Sequence, residues 1–167
     1  AINGEPGTTR WSALEPHTAG LWDRLYCGTC PSYLAPRLGD LDPIRQRASE
    51  WELSEEEVTC DGCLSEHVAK PCQTCSHGFR QCASEHSVTW CFECGEFPCD
   101  RLYRFRDAHV VDGISHHENV IQDLEYMRTH GTASWLATQS ERARCKECGA
   151  TNYWFTHSCA GCGATTR

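Results

Sequence analysis

Cysteine spacing constrains this chain more than any other feature. Of its 167 residues 14 are cysteine, and most fall into C-x2-C pairs: Cys27/Cys30, Cys60/Cys63, Cys72/Cys75, Cys91/Cys94, Cys145/Cys148 and Cys159/Cys162. Cys82 and Cys99 stand outside a pair. Two thiolates three positions apart can grip one metal ion from one tight turn. The same two sulfurs make a poor structural disulfide, because bridging so short a loop removes little entropy from the unfolded chain. The pattern predicts a scaffold built around several metal centres, with a secreted disulfide framework as the weaker alternative.

Composition points the same way. The hydrophobic share of 40% includes the cysteines. Little apolar material remains without them, so metal–thiolate bonds must supply what burial does not. The length suits one domain, or one small domain with an appended module. Ala1 to Arg10 is polar with Gly and Pro and does not read as a signal peptide. No apolar run approaches a membrane span. So many free pairs predict a reducing cytoplasm. The net charge is −8, and metallation adds to it, since four thiolates outweigh one divalent cation. A nucleic-acid binder shows a basic face. Here the positive residues are scattered, with small clusters at Arg101, Arg104, Arg106 and at Arg142, Arg144, Lys146 that read as solvated helix ends.

Three segments follow. Residues 1–24 read as an N-terminal docking arm: Gly4, Pro6, Gly7 and Pro16 break any periodicity, while Trp11, Leu14, Leu21 and Trp22 offer apolar side chains. Residues 25–143 read as a cysteine-rich metal-binding domain with helices. Asp42-Pro43 predicts a helix start, with Leu41, Ile44, Ala48 and Trp51 on one face. Ser54 and Glu57 have capping-box spacing. Pro98 opens a predicted helix through Leu102 and Phe105. Ser115 caps a longer one striped by Val120, Ile121, Leu124 and Met127 and ended by Gly131. Thr132 opens another through Trp135 and Leu136. Residues 144–167 form the last module. The fold class expected is a small metal-stabilised domain, irregular with short α-helices, plus a C-terminal β-hairpin zinc ribbon.

That last module carries the most specific motif. Cys145-Lys146-Glu147-Cys148-Gly149 and Cys159-Ala160-Gly161-Cys162-Gly163 are two knuckles, each presenting two sulfurs from a turn. Facing one another they make a tetrahedral four-cysteine site. Tyr153, Trp154 and Phe155 between them are expected to form a strand and cover the site. Zinc is the preferred ion, and iron fits the same ligands, as in the short rubredoxin-like module of rubrerythrins, whose spacing this segment resembles. His157 reads as an exposed neighbour of the site.

The middle of the chain contains an echo. Cys63-Leu64-Ser65-Glu66-His67 leads through four residues to Cys72 and Cys75; 19 positions on, Cys82-Ala83-Ser84-Glu85-His86 leads likewise to Cys91 and Cys94. A duplicated three-cysteine half-site, completed by Cys60 or Cys99, and plain coincidence explain it equally well. The ten cysteines outside the ribbon make two four-ligand sites with two left over. Pairing stays open: sequential, with Cys60, Cys63, Cys72 and Cys75 on one ion, or crossed, with Cys27/Cys30 joining a later pair. The central centres are zinc ions or [4Fe-4S] clusters, although the tight C-x2-C-x2-C run of bacterial ferredoxins is absent.

Tyr26-Cys27-Gly28-Thr29-Cys30-Pro31-Ser32-Tyr33, Cys60-Asp61-Gly62-Cys63, Cys91-Phe92-Glu93-Cys94 and Phe97-Pro98-Cys99 resemble the cysteine-rich domain-of-unknown-function 3795 family. The resemblance spans about residues 25–105. It implies a small cytoplasmic protein, common in anaerobic bacteria and archaea, that binds metal and has no assigned activity. The arm and the terminal ribbon depart from that pattern.

No Gly-rich phosphate loop and no G-x-S-x-G element appears. The best catalytic-looking cluster, His116-His117-Glu118, sits at a predicted helix start, where Glu simply suits the dipole. The expected function is therefore a non-catalytic multi-metal-binding accessory subunit or adaptor that docks on a larger, redox-type enzyme complex. The alternative is an iron–sulfur electron-transfer protein.

Overall fold

The computed structural model describes residues 26–63, 65–73, 77–108, 110–111 and 113–166. The docking arm with its Trp11, Leu14, Leu21 and Trp22 lies outside the described residues, as does Cys75. The described chain is mostly helical. Its helices are α1 (Pro31–Leu38), α2 (Asp42–Trp51), α3 (Glu55–Val58), α4 (Lys70–Gln73), α5 (Phe79–Glu85), α6 (Asp100–Arg106), α7 (Val120–His130) and α8 (Thr132–Arg142). Between α6 and α7, β1 (Val110–Val111) pairs antiparallel with β2 (Ile114–Ser115), Val110 opposite Ser115 and Val111 opposite Ile114. No helix among the described residues is long and apolar enough to cross a membrane.

Local chemistry explains most boundaries. Pro31 opens α1, where its missing N–H would have no partner anyway, and Gly39 at φ 71° closes it in the left-handed conformation. The predicted cap of α2 is one residue off: Leu41 is the cap, and Asp42 is the first helical residue, with its carboxylate 3.3 Å from Arg45. Of the stripe read there, Ile44 and Ala48 are buried, while Leu41 and Trp51 are exposed. The capping box of α3 is present in full: Glu57 N donates to Ser54 Oγ at 3.2 Å and Ser54 N donates to Glu57 Oε2 at 2.9 Å. Helix α6 begins at Asp100, two residues after Pro98, with Cys99 as its cap. Ser115 does not cap α7, because its backbone is engaged in β2; Asn119 takes the position. Gly131, at φ 83°, donates to Met127 O at 2.8 Å and lets the chain turn straight into α8.

Two apolar clusters form. Ala35 of α1, Ile44 and Ala48 of α2 and Val58 of α3 make the smaller one, with Leu53 and Tyr153 packed on it. The larger joins Phe79 of α5, Leu102 and Phe105 of α6, Val120, Ile121, Leu124 and Met127 of α7, and Trp135 and Leu136 of α8.

The C-terminal module departs from the expected β-hairpin. Among its described residues there is no strand, and two isolated bridges, Arg144 with Thr151 and Ser158 with Thr165, take its place. The two halves repeat one turn. Gly149 N donates to Cys145 O at 2.9 Å and Cys145 N to Ala150 O at 2.8 Å; Gly163 N donates to Cys159 O at 2.8 Å and Cys159 N to Ala164 O at 2.7 Å. Gly149 and Gly163 sit at φ 75° and 74°, a conformation that a side chain makes costly. Tyr153, Trp154 and Phe155 form no strand, because their side chains are drawn elsewhere. Tyr153 donates its hydroxyl to Asp40 at 2.8 Å, and Trp154 stacks on His116 with 3.9 Å between ring centroids. The aromatic trio ties the module to the rest of the molecule.

Candidate metal centre

The paired turns bring Cys145, Cys148, Cys159 and Cys162 together, with all four sulfurs within 4.8 Å of one another. Cys145 Sγ lies 3.6 Å from Cys162 Sγ, and Cys148 Sγ lies 3.6 Å from Cys159 Sγ. Sulfurs bound tetrahedrally at zinc–thiolate bond length stand about 3.8 Å apart, so the donors already have the spacing of a four-coordinate site. Cys145 and Cys159 are buried and Cys148 and Cys162 exposed, which leaves one side of the cluster open to solvent. Gly161 supplies the room. A Cβ there would stand 3.3 Å from Cys148 Sγ and 3.2 Å from the Cα-bound carbon of Ala150.

The electrostatics favour a cation. At Cys159 burial acts to raise the thiol, but backbone N–H groups of Gly161 and Cys162 and the thiols of Cys148 and Cys145 outweigh it, and the group falls to about 6. At Cys162 the N–H of Ala164 pulls downward, yet the Cys148 and Cys145 sulfurs push it up to about 12. The cluster thus loses a first proton easily and resists losing further ones. A divalent ion removes that resistance, because it neutralises the mutual repulsion of the thiolates. His157 is exposed and stands outside the cluster.

Among the described residues every cysteine is unbridged. Several of the other predicted ligands also gather. Cys27 Sγ lies 3.7 Å from Cys63 Sγ. Cys60 is raised to about 12, first by burial and then by the neighbouring charges of Cys30, Cys63 and Cys72. Cys82, Cys91, Cys94 and Cys99 line a small cavity of about 20 Å³ together with His86, whose Nδ1 is 3.6 Å from Cys94 Sγ. The internal echo does not survive as a structural repeat. Cys63 sits in a turn where its counterpart Cys82 sits within α5, and His67 engages Asp61 at 3.1 Å where His86 meets a cysteine.

The His116-His117-Glu118 cluster precedes α7, and the rings of His116 and His117 stack with 4.6 Å between centroids. His117 is buried, with Nδ1 3.2 Å from Phe105 O and its ring stacked on Phe105. His116 stacks on Trp154, and Glu118 is exposed. Arg142, Arg144 and Lys146 line a cleft of about 590 Å³ beside the four-cysteine cluster, with Tyr26 and Trp154. The sequence reading placed these three cations on a solvated helix end; it had no signal for the cleft, which depends on where Trp154 docks.

No curated protein and no solved structure matches this chain. One family model does, over residues 24–104. That span contains Cys27 through Cys99 but stops short of α7, α8 and the C-terminal cluster. The family whose model the cysteine-rich central segment matches is described as Protein of unknown function (DUF3795).

Proposed function

We propose that this chain is a metal-stabilised, non-catalytic binding module, an accessory subunit or adaptor that works in the cytoplasm on a larger protein partner. In this reading Cys145, Cys148, Cys159 and Cys162 hold one zinc ion in a zinc-ribbon-like module, and the central cysteines hold further metal. The observation that carries it is the convergence of those four sulfurs at tetrahedral spacing. Metal there would fix the turns that present Tyr153 and Trp154 to the rest of the molecule. The N-terminal arm, with its two tryptophans, supplies the docking element.

The test is metal content after anaerobic purification of the full chain. Cys148→Ser is expected to lower bound zinc by one equivalent. Unchanged zinc in that variant would sink the assignment. Iron–sulfur electron transfer is the competing reading, favoured by the number of unbridged thiols in the central segment. It predicts a brown protein that bleaches on reduction, whereas the zinc form is colourless.

A further inference from the structure

Four rings form one pile that climbs out of the larger apolar cluster. His117 stacks on Phe105 with 3.7 Å between centroids, His116 on His117 at 4.6 Å, and Trp154 on His116 at 3.9 Å. The outermost two planes lie within 9° of parallel. Phe105 and His117 are buried, whereas His116 and Trp154 keep part of their surface and line the cleft of about 590 Å³. Tyr26 lines it too, with its ring edge-on to buried Trp135. The cleft therefore has an aromatic wall anchored in the core.

The rest of the lining is rich in cations. Acidic residues outnumber Lys and Arg by 23 to 15 in this chain, yet Arg142, Arg144 and Lys146 all border the one cleft. They sit where α8 runs into the first cysteine turn. Arg142 reaches a carboxylate, that of Asp123, only at 3.9 Å. Among the described residues no ion pair involves Arg144 or Lys146. Glu118 and Glu147 also border the cleft, and its lining still carries net positive charge. A concave surface of one sign raises the local concentration of ions of the other. An aromatic wall beside it favours anions that carry a flat ring.

We propose that this cleft binds a nucleoside phosphate, with the phosphate on Arg142, Arg144 and Lys146 and the base against Trp154 and His116. Its volume falls within the roughly 300–1,000 Å³ of small-molecule sites. Guanidinium groups match phosphate oxygens two at a time, and an ammonium adds a point charge. Glu118 and Asn119, whose side chains meet at 3.3 Å, border the same cleft and offer an acceptor and a donor to the sugar and base. A single-stranded nucleic acid fits less well, because it needs a cationic track along several nucleotides, whereas these cations sit in one short segment. The site goes beyond the scaffold reading and does not depend on which metal the cysteines hold.

The experiment titrates the full chain, purified anaerobically with its metal, with ADP by calorimetry. A single ADP per chain is expected, bound more tightly than adenosine or inorganic pyrophosphate. Arg144→Ala combined with Lys146→Ala should weaken ADP by about tenfold or more, through lost charge-assisted contacts, with metal content unchanged. Unchanged ADP affinity in that variant overturns the proposal, as does the absence of saturation at millimolar ADP. Pyrophosphate binding as tightly as ADP overturns it too, since the site is then a patch of charge. Oligothymidylate that binds and is not displaced by ADP overturns it in favour of a nucleic-acid surface. Should the double variant lose metal, photolabelling of the unaltered chain with an azidoadenine analogue of ADP decides. Label on residues 115–119 or 152–156 that excess ADP prevents supports the site, and label elsewhere overturns it. Metal content, read in every sample, tests the scaffold reading separately.

Discussion

At the scale of single residues, the C-terminal centre depends on an atom that is missing. Gly161 has its backbone N–H 3.4 Å from Cys159 Sγ, and an added methyl would press on Cys148 Sγ and Ala150. Relief requires the sulfur cage to shift by a few tenths of an ångström, and overpacking of this kind costs about 1–3 kcal/mol. Gly161→Ala is therefore expected to weaken zinc affinity about tenfold or more, measured by competition with a chromophoric chelator. Affinity equal to that of the unaltered chain would show that the cage is loose. The cysteine motifs made this centre legible in the sequence, because two knuckles with trailing glycines leave little choice of partner. The direction in which Tyr153, Trp154 and Phe155 point was not legible. Three consecutive aromatic residues fit a strand by propensity, and only the docking of Tyr153 on Asp40 and Trp154 on His116, both remote in sequence, decides otherwise.

Elements show the same division between local and distant causes. Helices α7 and α8 could be read from their apolar spacing: Val120, Ile121, Leu124, Met127, Trp135 and Leu136 are all buried as predicted. The start of α7 was misplaced, since the short β1–β2 pairing takes Ser115 first. Helix α1 is not legible in the residues, since Pro31 and Pro36 both argue against a helix, although Pro31 occupies the first turn, where proline is tolerated. Leu124 has no exposed surface, so Leu124→Ala should destabilise the metal-loaded protein by about 3 kcal/mol in a denaturant titration. Leu38→Ala, at a largely exposed position, should change stability by less than about 0.5 kcal/mol. Similar losses at both positions would contradict the burial pattern. At α3 the capping carboxylate of Glu57 is held down from an ordinary 4.5 to about 2, by Lys70 Nζ at 2.7 Å and then by the N–H of Ser54. A folded-state value below the unfolded one contributes stability above pH 4.5 that is lost as pH falls through about 2. A carboxyl-carbon NMR titration should place the Glu57 midpoint near 2, and Lys70→Ala should move it up toward 4.5. A midpoint at the ordinary value in the unaltered chain would remove this contact.

For the molecule as a whole, apolar burial is unevenly spread. Between Cys60 and Cys99 the buried apolar residues, cysteine aside, are Val68, Ala69, Phe79 and Ala83, among those described. That stretch has little burial to offset the entropy of ordering its backbone, and in the function proposed above metal supplies the difference. Chelation under anaerobic, reducing conditions is expected to unfold it and expose it to protease, while α7 and α8 keep helical circular dichroism. A chelated chain that stays compact and protease-resistant through residues 60–99 would defeat this claim. Phe79 and Leu102, inside the family-matched segment, complete their packing on α7 and α8, which lie beyond it. The matched segment is thus only part of a folding unit here.

The contact between Tyr153 and Asp40 spans 113 positions of sequence. In a chain made from its N-terminal side, α1, α2 and the Cys27–Cys63 neighbourhood leave the ribosome long before the aromatic trio exists. For that interval the surface later covered by Tyr153 faces water or a chaperone, and the early thiols compete for metal without the late module. The C-terminal module then acts as a closing clasp, so, if its four sulfurs hold metal as proposed, a shortage of metal late in synthesis would leave a protein folded in its first half and unfastened at its seam.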